Sequence, residues 1–132
     1  MEKPKILIVA PYRGLFEIAL TFKNERKDVI LDVVNGNLGE GVAIAVQMQK
    51  NGYDVIVSRG GTALEIKKAV NIPVVDIEFS AYDMMRILHM TDRLYARIAI
   101  VGYPSIAKCA RIVSELMNRK VCVRTIKFET NK

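Results

Sequence analysis

The chain has 132 residues, 51% hydrophobic content, two cysteines, one histidine and a formal net charge of +6. Its length is that of one average domain with a real core. No run of about 18 apolar residues occurs, which excludes a membrane-spanning helix, and the opening Met1-Glu-Lys-Pro-Lys5 has no signal-peptide character, so a cytoplasmic location is expected.

The charge is uneven. Residues 1–96 balance at twelve basic and twelve acidic side chains, whereas residues 97–132 carry eight basic and two acidic ones. The basic residues are scattered through a predicted helix and strand without interleaved aromatics, so direct nucleic-acid contact is not expected. Cys109 and Cys122 fit no zinc or redox spacing and read as buried apolar thiols. His89 stands alone in mid-helix, which leaves no His-rich metal site and no Ser-His-Asp or Cys-His set. No cofactor is expected.

In chain order, Lys5–Ala10 is an almost wholly apolar strand, as suits a central parallel strand covered on both faces. Leu15, Phe16, Ile18, Ala19 and Phe22 recur at helical spacing and predict a helix from Tyr12 to Arg26. A strand over Val29–Val34 ends at the turn dipeptide Asn35-Gly36. A helix follows from Leu38 to Asn51, with Gly52 in the C-cap place. Asp54–Ser58 is a β-branched strand and Pro73–Ile77 another. Between them Arg59-Gly60-Gly61-Thr62 predicts a sharp turn into a helix from Ala63 to Val70, with Thr62 as cap and Glu65 three places on. A helix over Tyr82–Asp92, a strand over Arg97–Gly102, a helix over Ile106–Asn118 opened by Pro104, and a strand over Val121–Ile126 complete the chain.

Strands and helices alternate with short links, the pattern of a doubly wound α/β fold with a parallel sheet. Two lobes are expected: residues 1–96 form the first, and residues 97–132 begin a second that looks truncated after strand six. Those last elements join the first sheet, belong to a fragment, or are completed by another copy.

Ligands of such folds sit beyond the carboxyl ends of the strands. At that edge Ser58, Arg59, Gly60, Gly61 and Thr62 combine two hydroxyls, a guanidinium and a helix N-terminus, the elements of an anion cradle. GxxxxGK[ST] and GxGxxG are both absent. Ser80, Tyr82 and Asp83 form a second candidate cluster, in which Ser80 also reads as a helix cap. Arg13, Tyr103 and Ser105 lie on loops that could close over a ligand or simply connect elements. Asp76 and Glu78 share one face of an extended strand and read as solvated or salt-bridged. A response-regulator receiver is excluded, because Ser58-Arg59 and Pro11-Tyr12 occupy the places its acidic residues need.

The stretch DVIVSRGGTALEIKKAVNIPVVDIEFSAYDMMRIL, followed by RIAIVGYPSIAKCARIVSELM, resembles the N-terminal sensory domain of the propionate catabolism activators, which are sigma-54-dependent, enhancer-binding transcriptional regulators. The resemblance spans the chain from strand one to strand six. It implies a two-lobed fold similar to periplasmic binding proteins, with a small anionic metabolite (2-methylcitrate in that family) between the lobes. It also implies ATPase and helix-turn-helix DNA-binding domains in the full-length activator, neither of which this sequence contains. Ser58–Thr62, Ser80, Tyr82, Asp83 and Tyr103–Ser105 match the family's motifs as pocket candidates. The expected function is therefore that of a non-enzymatic ligand sensor, expected to be a homo-oligomer. The alternative is a small two-lobed racemase- or lyase-type enzyme acting on a carboxylic acid.

Overall fold

Strand β1, Lys5–Ala10, lies between two parallel neighbours: β2, Ile30–Asn35, and β3, Val55–Ser58. The computed structural model describes residues 2–92 and 97–127. A fourth parallel strand, β4 (Val74–Asp76), pairs with β3 and gives the order β2-β1-β3-β4. The helices between these strands are α1, Arg13–Glu25, α2, Leu38–Met48, and α3, Gly60–Ala69.

Both faces of this sheet are covered, as an apolar β1 requires. On one face Leu7, Val9 and Ile56 pack with Ala45 of α2 and Ile66 of α3. On the other, Ile8 packs with Ala19 of α1 and Leu31. The first helix, second helix and strands thus form where periodicity placed them, within one or two residues at most ends. The predicted second helix finishes as a short 3-10 turn, Gln49–Asn51, and Gly52 follows with φ 82°, the left-handed C-cap conformation.

Two further strands, β5 (Ala99–Gly102) and β6 (Cys122–Thr125), pair in parallel as a separate two-stranded sheet. They do not extend the first sheet, which removes one of the three alternatives. Helices α4 (Ala81–Asp92) and α5 (Pro104–Leu116) pack with them. Met84 and Leu88 of α4 are buried against Ala110 and Val113 of α5, with Ile100 and Val123 beneath.

The chain divides into two compact units, Met1–Ile77 and Glu78–Lys132. Helix α4, placed above in a first lobe of residues 1–96, therefore packs in the second unit. Its apolar stripe gives the reason: Met84 and Leu88 are buried against α5. The expected boundary after residue 96 and the expected tail over residues 128–132 lie outside the described residues.

Candidate functional site

In the first unit the chain crosses from β2 to β3 over β1, so the carboxyl ends of β1 and β3 flank a topological switch point. The link after β1 carries Tyr12, with Arg13 opening α1, and the link after β3 is Arg59, with Gly60 and Gly61 opening α3. The Arg59 guanidinium donates to the Tyr12 hydroxyl at 3.0 Å, tying the two loops together. Arg13 donates through Nε to Glu17 Oε1 at 2.8 Å, one helical turn on, and is largely solvent-exposed.

The glycine turn differs from the expected cradle. Ser58 is fully buried, and its hydroxyl donates to the Val9 carbonyl at 2.7 Å. Thr62 is buried inside α3 rather than capping it. Its hydroxyl accepts the Leu38 N–H at 2.9 Å and donates to Asn37 Oδ1 at 3.1 Å. The helix begins earlier than predicted, at Gly60, which takes φ 61°, a left-handed angle that glycine reaches at no steric cost. The Gly60 N–H donates to Asp76 Oδ1 at 3.0 Å. Asp76, expected to be solvated or salt-bridged, is thus a tertiary cap on α3, supplying negative charge at the positive end of its dipole.

The expectation of open amides across the turn is therefore corrected at Gly60, whose N–H the protein itself satisfies. The hydroxyls of Ser58 and Thr62 are likewise used to hold loops in place. Gly61 is buried beside them. Close packing of α2 on α3 explains this commitment: a Cβ on Gly41 would meet Thr62 Cγ2 at 2.7 Å and the Gly36 carbonyl oxygen at 2.8 Å.

A cavity of about 560 Å³ lies beside these loops, lined by Tyr12, Arg13, Phe16, Asn35, Asn37 and Glu40 among others. Of the predicted site residues only Arg13 lines it. Asn35, Asn37 and Glu40 are residues that sequence reasoning passed over as site members, although Asn35-Gly36 was legible as a turn, and Tyr12 belongs with Arg13 to the stretch after β1 that the sequence offers as able to close over a ligand. Leu38, the residue after Asn37, has φ 47°, unusual for a residue with a side chain, and its N–H donates to the Thr62 hydroxyl.

The second unit has its own cavity, of about 460 Å³. It brings together two predicted residues, Ser80, just before α4, and Ser105, in the first turn of α5, with Glu78, Phe79, Lys108 and Cys109. Ser80 caps α4 as expected, its Oγ accepting the N–H groups of Tyr82 at 3.1 Å and Asp83 at 3.4 Å. The Tyr82 and Asp83 side chains are exposed and do not line this cavity. Tyr82 instead lies with its ring under the Arg86 guanidinium, 6.0 Å from the centroid. Tyr103 supplies the backbone that opens α5, with Pro104 in the first turn as predicted.

The cysteines do not form an acid/base pair. Burial pushes the Cys109 thiol upward, which favours the uncharged form. Cys122 is exposed on β6 and does not line the cavity. Among the described residues no group of three or more His, Cys, Asp or Glu is placed to hold a metal ion. Among them also, no helix is long and apolar enough to cross a membrane.

The fold is an α/β domain built on a parallel sheet flanked by helices. The family model for the propionate catabolism activators matches residues 25–131, and the chain belongs to that family. It is a regulatory sensory domain of sigma-54-dependent activators, proteins that in full length also carry ATPase and DNA-binding domains. Among solved structures, an NtrC family transcriptional regulator from Clostridium acetobutylicum superposes with a TM-score of 0.69. The two are 24% identical over 96% of this chain and 68% of the other, a likeness of fold. No curated protein sequence matches the chain significantly.

Proposed function

We propose that this domain senses a small anionic metabolite, a carboxylate of the 2-methylcitrate type, without transforming it. The observation that carries the reading is the cavity at the carboxyl edge of the first sheet, lined by Arg13 and Tyr12, with Arg59 held on the Tyr12 hydroxyl. Two guanidinium groups, on Arg13 at the start of α1 and on Arg59 just before α3, suit a ligand with more than one carboxylate, because each can bind one in two-point fashion.

In this reading Ser58, Gly60, Gly61 and Thr62 shape the loop that presents Arg59. Ser80 and Ser105, with Lys108, offer hydroxyl and ammonium contacts to an acid in the second unit, and Tyr82, Asp83 and Tyr103 keep the surrounding loops in position. Ligand binding shifts the domain between conformations by no more than its difference in affinity for them, and that shift acts on the attached ATPase module in the cytoplasm.

The enzyme alternative needs two acid/base groups facing one ligand, and Cys122 lies on an exposed strand away from the cavity that Cys109 lines. Thermal-shift screening against di- and tricarboxylates separates the readings. A sensor gives a rise in Tm with a tricarboxylate that Arg59→Ala abolishes, and the added acid is recovered unchanged. Consumption or racemisation of the acid would overturn the non-catalytic assignment.

A further inference from the structure

Two neutral polar side chains on the wall of the first cavity, Tyr12 and Asn37, already accept a hydrogen bond from the protein itself. The Tyr12 oxygen accepts from the Arg59 guanidinium at 3.0 Å, which leaves the phenolic proton to be given. At Asn37 a relay reaches the same result. The Leu38 N–H can only donate, so the Thr62 hydroxyl, 2.9 Å away, accepts from it. Thr62 is 1% exposed, and a buried hydroxyl proton needs an acceptor. It goes to Asn37 Oδ1 at 3.1 Å. With Oδ1 engaged in this way, Asn37 keeps its amide N–H groups for the cavity that it lines.

An asparagine is otherwise indifferent, because turning its amide over exchanges donor for acceptor. The relay removes that freedom. Arg59 and Thr62 thus orient Tyr12 and Asn37 from one turn, and both present a donor. Arg13 lines the same cavity but is largely exposed, so it supplies charge more than direction. Of the acidic liners, Glu17 accepts from Arg13 Nε at 2.8 Å. Glu40 repels an anion, so a carboxylate there depends on the donors around it.

We propose, resting on the sensing role above, that Asn37 is a ligand-contact residue that gives its amide N–H to a carboxylate oxygen, and that Thr62 is the positioning residue that sets which way the amide faces. The buried hydroxyl of Thr62 thereby does two things: it holds the segment after β2, and it makes the cavity wall selective for an acceptor.

Calorimetric titration of the purified chain tests this, with 2-methylcitrate or whichever di- or tricarboxylate gives the largest thermal shift, and with circular dichroism confirming that each variant is folded. Asn37→Asp keeps an oxygen for Thr62 but replaces the donor with a charged acceptor, and should weaken binding about tenfold or more. Thr62→Val should weaken it about threefold or more, and Thr62→Ser should restore it. In an Asn37→Ala background Thr62→Val should have no further effect on affinity, whereas a threonine with a merely structural role would weaken both backgrounds alike. Binding that Asn37→Asp leaves unchanged, or equal losses from Thr62→Val in the two backgrounds, would overturn the assignment of these residues and leave the sensing role standing. A wild-type chain that binds no carboxylate would overturn the sensing role and this assignment with it.

Discussion

The hydroxyl of Thr62, in the first turn of α3, accepts the N–H of Leu38, in the first turn of α2, at 2.9 Å. Through this bond the turn after β3 fixes the segment after β2, where Leu38 keeps a left-handed backbone angle next to Asn37, which lines the first cavity. Thr62→Val keeps the shape but removes the hydroxyl. It should destabilise the domain by about 1–3 kcal/mol, the cost of leaving a part-buried donor unsatisfied. Urea unfolding measures this, and Thr62→Ser, which retains the hydroxyl, should lose less.

Asp76 sets the second expectation. Its carboxylate caps α3 through the Gly60 N–H at 3.0 Å. Asp76→Ala should cost about 0.5–2 kcal/mol, the usual range for a lost helix cap, while Asp76→Asn, which keeps an acceptor oxygen, should cost less. The midpoint of chemical denaturation distinguishes the two. Equal losses would mean that the charge, rather than the hydrogen bond, holds the turn.

Tyr53 provides a pH signature. The residue is buried, and its hydroxyl donates to Asp32 Oδ2 at 2.6 Å. Burial foremost, and then the hydrogen bond and charge of Asp32, push its ionisation up to about 12. The folded pKa is raised above that of a free phenol, near 10. Its contribution to stability is therefore fully present below about pH 10 and is lost as the pH climbs through about 12. Stability should fall across that alkaline window, and Tyr53→Phe should flatten the fall. Denaturant midpoints between pH 8 and pH 11.5 report it, with the tyrosinate absorbance as a parallel readout.

Much of this architecture was legible in the residues. The apolar run Lys5–Ala10 announced a strand covered on both faces, and Leu7 and Ile8 are indeed buried on opposite sides. Gly52 and Ser80 were readable as caps because their roles are local. What escaped was tertiary. Thr62 followed by Glu65 imitates a capping box, yet Thr62 is drawn inward by Asn37 and Leu38, some 25 and 24 residues away in sequence. Asp76 reaches Gly60 only because β4 lies beside β3. Tyr12 carries no motif, and its meeting with Arg59 depends on β1 and β3 being neighbours. The grouping of α4 with α5 was hidden because the stripe of Met84 and Leu88 names an apolar face without naming what covers it.

Calorimetric titration of the wild-type domain with 2-methylcitrate, beside Arg59→Gln and Arg13→Gln, bears most directly on the sensing role. Saturable one-site binding is predicted in the wild type, weakened by about tenfold or more in each variant, since loss of a hydrogen bond to a charged group costs about 1.5–3 kcal/mol. Absence of binding by the wild type to this and related di- and tricarboxylates, or binding that both substitutions leave untouched, would contradict it.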